Sequence, residues 1–232
     1  MPAPERSFVV TGGSGGVGAA IVARLRLEGH VVVLDMADGA DVVGDASDVD
    51  VATRAADAAE RVAPLAGWVN NAAVFRDAWL HEDDVLPLIT ANLALAVTGC
   101  AVAVRRFLAH GGGGAIVNVS SHQALRPVPG ALPYATAKAA VEGLTRAVAV
   151  EYGARGVRCN AVALGSIRTA RSDALGRDEE LARLHPVGRA GEPSEVADVV
   201  AMLLKDGFVN GAVIPVDGGR SVLGHDPEAR LP

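Results

Sequence analysis

Six short apolar runs, most of them rich in β-branched residues, alternate along this chain with segments whose apolar residues recur at helical spacing. Few architectures accommodate that order. The runs are Ser7 to Val10, Val31 to Leu34, Gly67 to Val69, Ala115 to Val119, Val157 to Val162 and Ala212 to Val216. The first two are bounded by Gly or Asp, as strands covered on both faces are. Between them Val17, Ile21 and Leu25 predict a helix over Val17 to Glu28, stopped by Gly29. Further helices are expected at Asp48 to Ala63, Glu82 to Ala109, Pro133 to Tyr152 and Pro193 to Lys205. Strands alternating with helices imply parallel pairing and right-handed crossovers. The expected fold is therefore α/β, a single doubly wound parallel sheet with helices on both faces and ligands held beyond the strand C-termini.

The 232 residues suit one domain spanning 1–232. Asp35 to Asp45 is too short for a full crossover helix and a full third strand, so that helix is expected to be reduced or absent. Lys205 to Gly211 is similarly compact. With aromatics at only 3%, Val, Ala and Leu must fill the core. A net charge of -6 without any Lys/Arg run argues against nucleic acid or an acidic membrane as partner. The most membrane-like stretch, Ile89 to Val104, is short for a span and reads as a helix buried in the core or at a subunit interface. No signal-peptide pattern precedes Phe8, and Cys100 and Cys159 lack metal-ligand and redox-motif spacing. A cytoplasmic protein with buried thiols and no metal site is expected.

Thr11-Gly12-Gly13-Ser14-Gly15-Gly16-Val17-Gly18 follows the first strand and opens the first helix. Glycines let a pyrophosphate approach the backbone, and the helix N-terminus offers free N–H groups and a favourable dipole. Alone, such a turn could simply join strand to helix. Asp35, ending the second strand, stands where a carboxylate accepts hydrogen bonds from adenosine ribose hydroxyls and repels a 2′-phosphate. Gly15 supplies no cation for such a phosphate, so NAD is favoured and NADP is the less favoured cofactor.

Tyr134-Ala-Thr-Ala-Lys138 sets a phenol and an ammonium one helical turn apart. A phenol titrating near pH ~10 needs a nearby cation before it can exchange protons close to neutrality. Taken with the glycine turn, Asn70-Asn71-Ala72-Ala73 and Ser121, this pair makes the chain resemble the short-chain dehydrogenase/reductase family, which has the Rossmann fold, over nearly its whole length. The C-terminal half resembles that family's 3-oxoacyl-reductase-like branch. The resemblance implies that Tyr134 is the general acid for ketone reduction and that Lys138 lowers its pKa and holds the nicotinamide ribose. It implies that Ser121 donates a hydrogen bond to the substrate oxygen and that Asn92 holds a water linking Lys138 to solvent. Ser120 competes with Ser121 for its role, but spacing to Tyr134 favours Ser121. Cofactor contacts are carried over to Gly12, Ser14, Gly16, Val17, Gly18, Asp35, Asp45, Asn71, Ala72, Tyr134, Lys138, Ile167 and Thr169. Asp45 belongs to a motif contacting the adenine edge, and Ser47 or Asp48 is expected to cap the next helix.

The chain also departs from the family's pattern. Ala73 replaces a glycine near the expected path of the ribose, and Leu164 replaces a proline, which should loosen the backbone entering Gly165. Substrate selection is expected in Phe75 to Leu80, His122 to Leu132 and Arg168 to Val187. In the last, Arg168, Arg171, Arg177 and Arg183 could recognise an anion, though a solvated charged face is the simpler reading, and Asp178 to Leu184 could form a helical lid. His122 reads as an orienting or exposed residue. The implied activity is NAD-dependent hydride transfer between nicotinamide and a small carbonyl or secondary alcohol. The alternatives are a 3-oxoacyl thioester reductase specifically, or a catalytically silent NAD-binding regulator. A methyltransferase would also use a glycine turn and an acid, but leaves Tyr134, Lys138, Ser121 and Asn92 unexplained. Apolar surface on the two long helices predicts a homo-oligomer, a tetramer or dimer.

Overall fold

Phe8, Val9 and Val10 leave no polar face for water, so the strand carrying them must be covered on both sides. In the computed structural model, which describes residues 5–173, 176, 178–205 and 207–224, β1 (Ser7–Thr11) lies inside a sheet, paired in parallel with β2 (His30–Asp35) and β4 (Leu65–Asn70). Beyond β2 lies β3 (Val42–Val43), and beyond β4 lie β5 (Gly114–Ser121), β6 (Val157–Leu164) and β7 (Val213–Val216). The order is β3-β2-β1-β4-β5-β6-β7, with every neighbouring pair parallel.

Helices cover both faces, as expected. On one, α1 (Gly16–Leu25) and α7 (Pro193–Leu204) bury Ile21, Leu25, Val196 and Val200 against Phe8, Val10 and Val117. On the other, α2 (Val49–Glu60), α3 (Leu86–His110) and α4 (Leu132–Tyr152) pack Ala52, Leu95, Phe107 and Val148 around Val9, Trp68 and Ile116. The second crossover helix is absent, since only turns and the two residues of β3 separate β2 from α2. Asp41 closes this short link by accepting the Val33 N–H at 2.8 Å. Two short helices, α5 (Ala170–Asp173) and α6 (Asp178–Arg183), follow β6.

Helix ends differ from expectation for identifiable reasons. Helix α1 stops at Leu25 rather than at Gly29, and Gly29 has a different duty: a Cβ there would lie 2.5 Å from the Arg6 carbonyl oxygen. Helix α3 begins at Leu86 instead of Glu82, because Asp83 accepts the Trp79 N–H, Asp84 accepts the Leu86 N–H, and Pro87 occupies the first turn. At 25 residues α3 is long and apolar enough to cross a membrane, which corrects the estimate from Ile89 to Val104. Its inner face packs on β4, β5 and α4.

Below the strand ends, polar side chains are fastened to one another inside the core. Asn118 on β5 accepts from Asn70 at 2.8 Å and donates to Thr145 at 2.9 Å and to the Cys159 sulfur at 3.5 Å. Asn70 in turn accepts the Trp68 indole N–H. Both cysteines are buried free thiols. Because Asn70 and Thr145 would each lose a buried bond, keeping those to Ala96, Cys100 and Val141, Asn118→Leu is expected to lower the unfolding free energy by ~1–3 kcal/mol in urea titration. A change under ~0.5 kcal/mol would show that these bonds contribute little.

Candidate active site

At the C-terminal ends of the strands, a cleft of about 710 Å³ runs from the glycine turn to the segment after β7. At its first end, the Thr11 hydroxyl accepts the N–H groups of Asn71 and Ala72, and the Asn71 amide donates to the Thr11 and Gly12 carbonyls. These bonds lock the end of β4 onto the turn. Gly12 has φ +66°, and a Cβ on Gly18 would stand 2.0 Å from the Gly12 oxygen, so α1 can begin this close only with glycine there. The N-cap of α1 is Gly15, which has no side chain to satisfy the first amides. A turn without side chains, facing unsatisfied amides, suits a pyrophosphate.

Asp35 accepts the N–H groups of Ser14 and Ala37 at 2.9 and 3.1 Å, tying the turn to β2. Partial burial alone would raise its pKa, but these bonds hold it below the ordinary carboxylate value, so it is ionised at neutrality. Ser14 and Asp35 stand beside the cleft rather than in its lining, whereas Gly12, Gly16, Val17, Gly18, Asn71, Ala72, Ile167 and Thr169 line it. Across the cleft, the Thr169 methyl would lie 3.4 Å from a Cβ on Gly16. Ala73 lines the same wall.

In the middle of the cleft, Ser121, Tyr134 and Lys138 share the lining. Ser121 ends β5 and its hydroxyl oxygen accepts the Gln123 N–H at 3.2 Å. Ser120 is engaged elsewhere, donating to Glu142 at 2.9 Å. The Lys138 ammonium is 5.4 Å from the Tyr134 ring centroid and donates to the Val119 carbonyl at 2.7 Å. Phe75 packs against Tyr134, with centroids 5.1 Å apart. Burial pushes the Lys138 pKa down to about 8, which still leaves it largely charged at neutral pH.

That depression has a sign that can be tested. Folded Lys138 releases its proton near pH 8, whereas the unfolded residue holds it to about 10.4. Between those values the unfolded chain binds more protons, so the lysine's contribution to stability increases as pH rises. Lys138→Met should remove this increment and flatten the stability profile above pH 8. An unaltered profile in denaturant titrations would mean that the lysine is not desolvated.

Two predicted contacts stand apart from the cleft. Asp45 accepts both the N–H and the hydroxyl of Ser47 at 2.8 Å, forming a turn before α2, while Asp48 caps that helix through Asp50 and Val51. The Asn92 amide donates to the Val74 and Leu88 carbonyls and accepts the Val74 N–H. It fastens the chain beyond Asn71 to α3. Leu164 is not loose: it lies within β6, paired with Ser121 and Val216, and its carbonyl contacts the His122 Nδ1 at 3.1 Å. His122, expected to be orienting or exposed, is buried at 6% exposure and joins the cleft wall.

The stretch after β6 lines the cleft with Thr169, Ala170, Ser172 and Leu181. Arg168 is paired with Glu192 at 2.8 Å, Arg183 is exposed, and Arg177 and the Arg171 side chain lie outside the described residues. Sequence reasoning missed Arg220, Ser166 and His185, which converge beside His122. Arg220 donates to the Ser166 hydroxyl at 2.7 Å, and His185 Nε2 accepts the Ser166 N–H at 3.0 Å. Their one signal was an arginine directly after Asp217-Gly218-Gly219.

Residues 13–221 match the family model described as Enoyl-(Acyl carrier protein) reductase. Carbonyl reductase family member 4 from Danio rerio is 35% identical over 94% of this chain and 99% of that protein. The chain belongs to the short-chain dehydrogenase/reductase family. Cis-4-hydroxycyclohexanecarboxylate dehydrogenase from Sinomonas cyclohexanicum is 38% identical over 93% of this chain and 96% of that protein. The crystal structure of levodione reductase superposes with a TM-score of 0.83 at 30% identity, covering 94% of this chain and 98% of that one. Family membership agrees with the parallel sheet and its helices on both faces, which are shared with these dehydrogenase/reductase structures.

Proposed function

We propose that this protein is an NAD(H)-dependent oxidoreductase that interconverts a small carbonyl compound and the corresponding secondary alcohol, its whole chain acting as one unit. The observation carrying this reading is the meeting of Ser121, Tyr134 and Lys138 in the cleft that also contains the glycine turn. NADH, when bound, supplies the hydride. The turn and the first amides of α1 receive the pyrophosphate, Asp35 accepts the adenosine ribose hydroxyls, and Ile167 and Thr169 border the nicotinamide. Tyr134 transfers its proton to the carbonyl oxygen in reduction and accepts it back in oxidation. Lys138, charged at neutral pH, stabilises the phenolate left behind.

The Ser121 hydroxyl donates to the same oxygen, where charge builds as the carbonyl is reduced. Lys138 has three donors and gives one to Val119, so others remain for the nicotinamide ribose. Asn92 acts through position, holding the Val74 backbone beside the cleft, and Asp45 holds the turn before α2. Incubating the protein with NADH and a panel of ketones, and with NAD and secondary alcohols, tests the reading by cofactor absorbance. Turnover of at least one pair is expected. Binding of NADH without turnover anywhere on a broad panel favours a silent regulator instead.

Leu86, Val97 and Val150 are exposed apolar residues on α3 and α4. We expect these helices to pair between copies in a homo-oligomer. A multimeric mass in light scattering at micromolar concentration is the expected result, and a monomeric mass would contradict it.

A further inference from the structure

The far end of the cleft carries a cation that the hydride-transfer machinery does not use. Arg220 follows β7 and lines the cavity that holds Ser121 and Tyr134. It is half-buried, and its recorded hydrogen bond is to the neutral Ser166 hydroxyl. Among the described residues no carboxylate lies within ion-pair distance of it. The nearest candidate in sequence, Asp217, is occupied: its two oxygens accept the N–H groups of Gly219 and Ser221 at 2.9 and 2.7 Å. Burial disfavours the Arg220 charge, and Asp217 offsets this only through space, so an anion that reaches the guanidinium fork would be favoured there.

The wall beside it is also incomplete. His122 points Nδ1 at the Leu164 carbonyl, and its Nε2 is buried with no hydrogen-bond partner. The Gln123 Oε1 is buried and unpartnered too, and both residues line the cleft. With Nδ1 facing a carbonyl, Nε2 is an acceptor like Oε1, so a water or another donor would complete both atoms, and neither holds the anion.

We propose that Arg220 is a carboxylate-binding residue that makes an acidic compound, a keto acid or its hydroxy acid, the substrate of this site. The assignment rests on the oxidoreductase reading, since it places the substrate's carbonyl at Ser121 and Tyr134 and its acid group at Arg220. A guanidinium presents a planar fork that matches a carboxylate through two parallel hydrogen bonds, a geometry lysine cannot reproduce. Arg168, after β6, does not compete for this role, because it is paired with Glu192.

Binding can be measured without turnover, which separates this proposal from the reaction itself. Cyclohexanecarboxylate and cyclohexanecarboxamide, neither of which contains a ketone or an alcohol, are titrated calorimetrically into the protein with and without saturating NADH. The carboxylate is expected to bind at least tenfold more tightly than the amide. Arg220→Met should abolish that preference, Arg220→Lys should keep part of it, and Arg54→Gln, exposed on α2 and outside the cleft lining, should leave it intact. Equal affinity for the two compounds, or a preference that survives Arg220→Met, overturns the assignment. So does loss of NADH affinity in Arg220→Met, which would place the guanidinium on the cofactor. Failure of the oxidoreductase reading would be visible separately, as carboxylate binding at Arg220 with no turnover on any keto acid.

Discussion

Tyr134→Phe is expected to reduce kcat by about 10²- to 10⁴-fold on any confirmed substrate, the range that a positioned general acid contributes. The change removes one oxygen and leaves the ring on Phe75, so the packing at 5.1 Å should persist. NADH affinity should change by no more than about the few-fold expected from losing one hydrogen bond. Residual activity should remain, since the Ser121 hydroxyl and the bound geometry still favour the transition state. A variant that keeps most of its turnover would remove Tyr134 from the acid-base role. A variant that fails to bind NADH would instead assign the phenol to cofactor binding.

The second large effect concerns Asp35. An ionised carboxylate at the ribose end should set kcat/KM for NADH on the order of 100-fold above that for NADPH. A 2′-phosphate brings about two negative charges into an environment where like charges a few ångströms apart repel by a few kcal/mol, less where water screens them. Asp35→Ser should narrow the ratio to about tenfold or less, both by removing the repulsion and by releasing the Ser14 N–H toward the phosphate. The cost should fall on NADH, whose ribose loses its acceptor. Comparable specificity constants for the two cofactors in the unaltered protein would defeat the NAD assignment.

Much of this arrangement was legible in the amino-acid order because the constraints are local. Val9 and Val10 cannot be solvated, so β1 had to be covered, and the short distance from Asp35 to Asp45 excluded a helix by chain length alone. Spacing favoured Ser121 over Ser120; both line the cleft, and the Ser120 hydroxyl donates to Glu142. What was not legible depends on approach between distant segments. Gly29 read as a helix stop, but its requirement comes from the Arg6 carbonyl on the preceding strand side. Leu164 read as a loosened proline site, yet neighbours on both β5 and β7 fix it in register. Asp45 and Asn92 matched a pattern, and their side chains engage Ser47 and the distant Val74 backbone, contacts that no local pattern records. Arg220 was invisible for the same reason: only the parallel sheet brings the end of β7 to the same cleft as the end of β5, with β6 between them, and no local pattern near Gly219 records it.

The account depends on hydride passing between a nicotinamide bound at the glycine turn and a carbonyl held at Ser121 and Tyr134. NADH carrying deuterium at the reactive C4 position tests this directly, with mass spectrometry of the product of any ketone the protein consumes. The prediction is one deuterium on the carbinol carbon of the alcohol and none elsewhere. Alcohol formed without the label, or NADH bound and never oxidised across keto acids and neutral ketones alike, would contradict it.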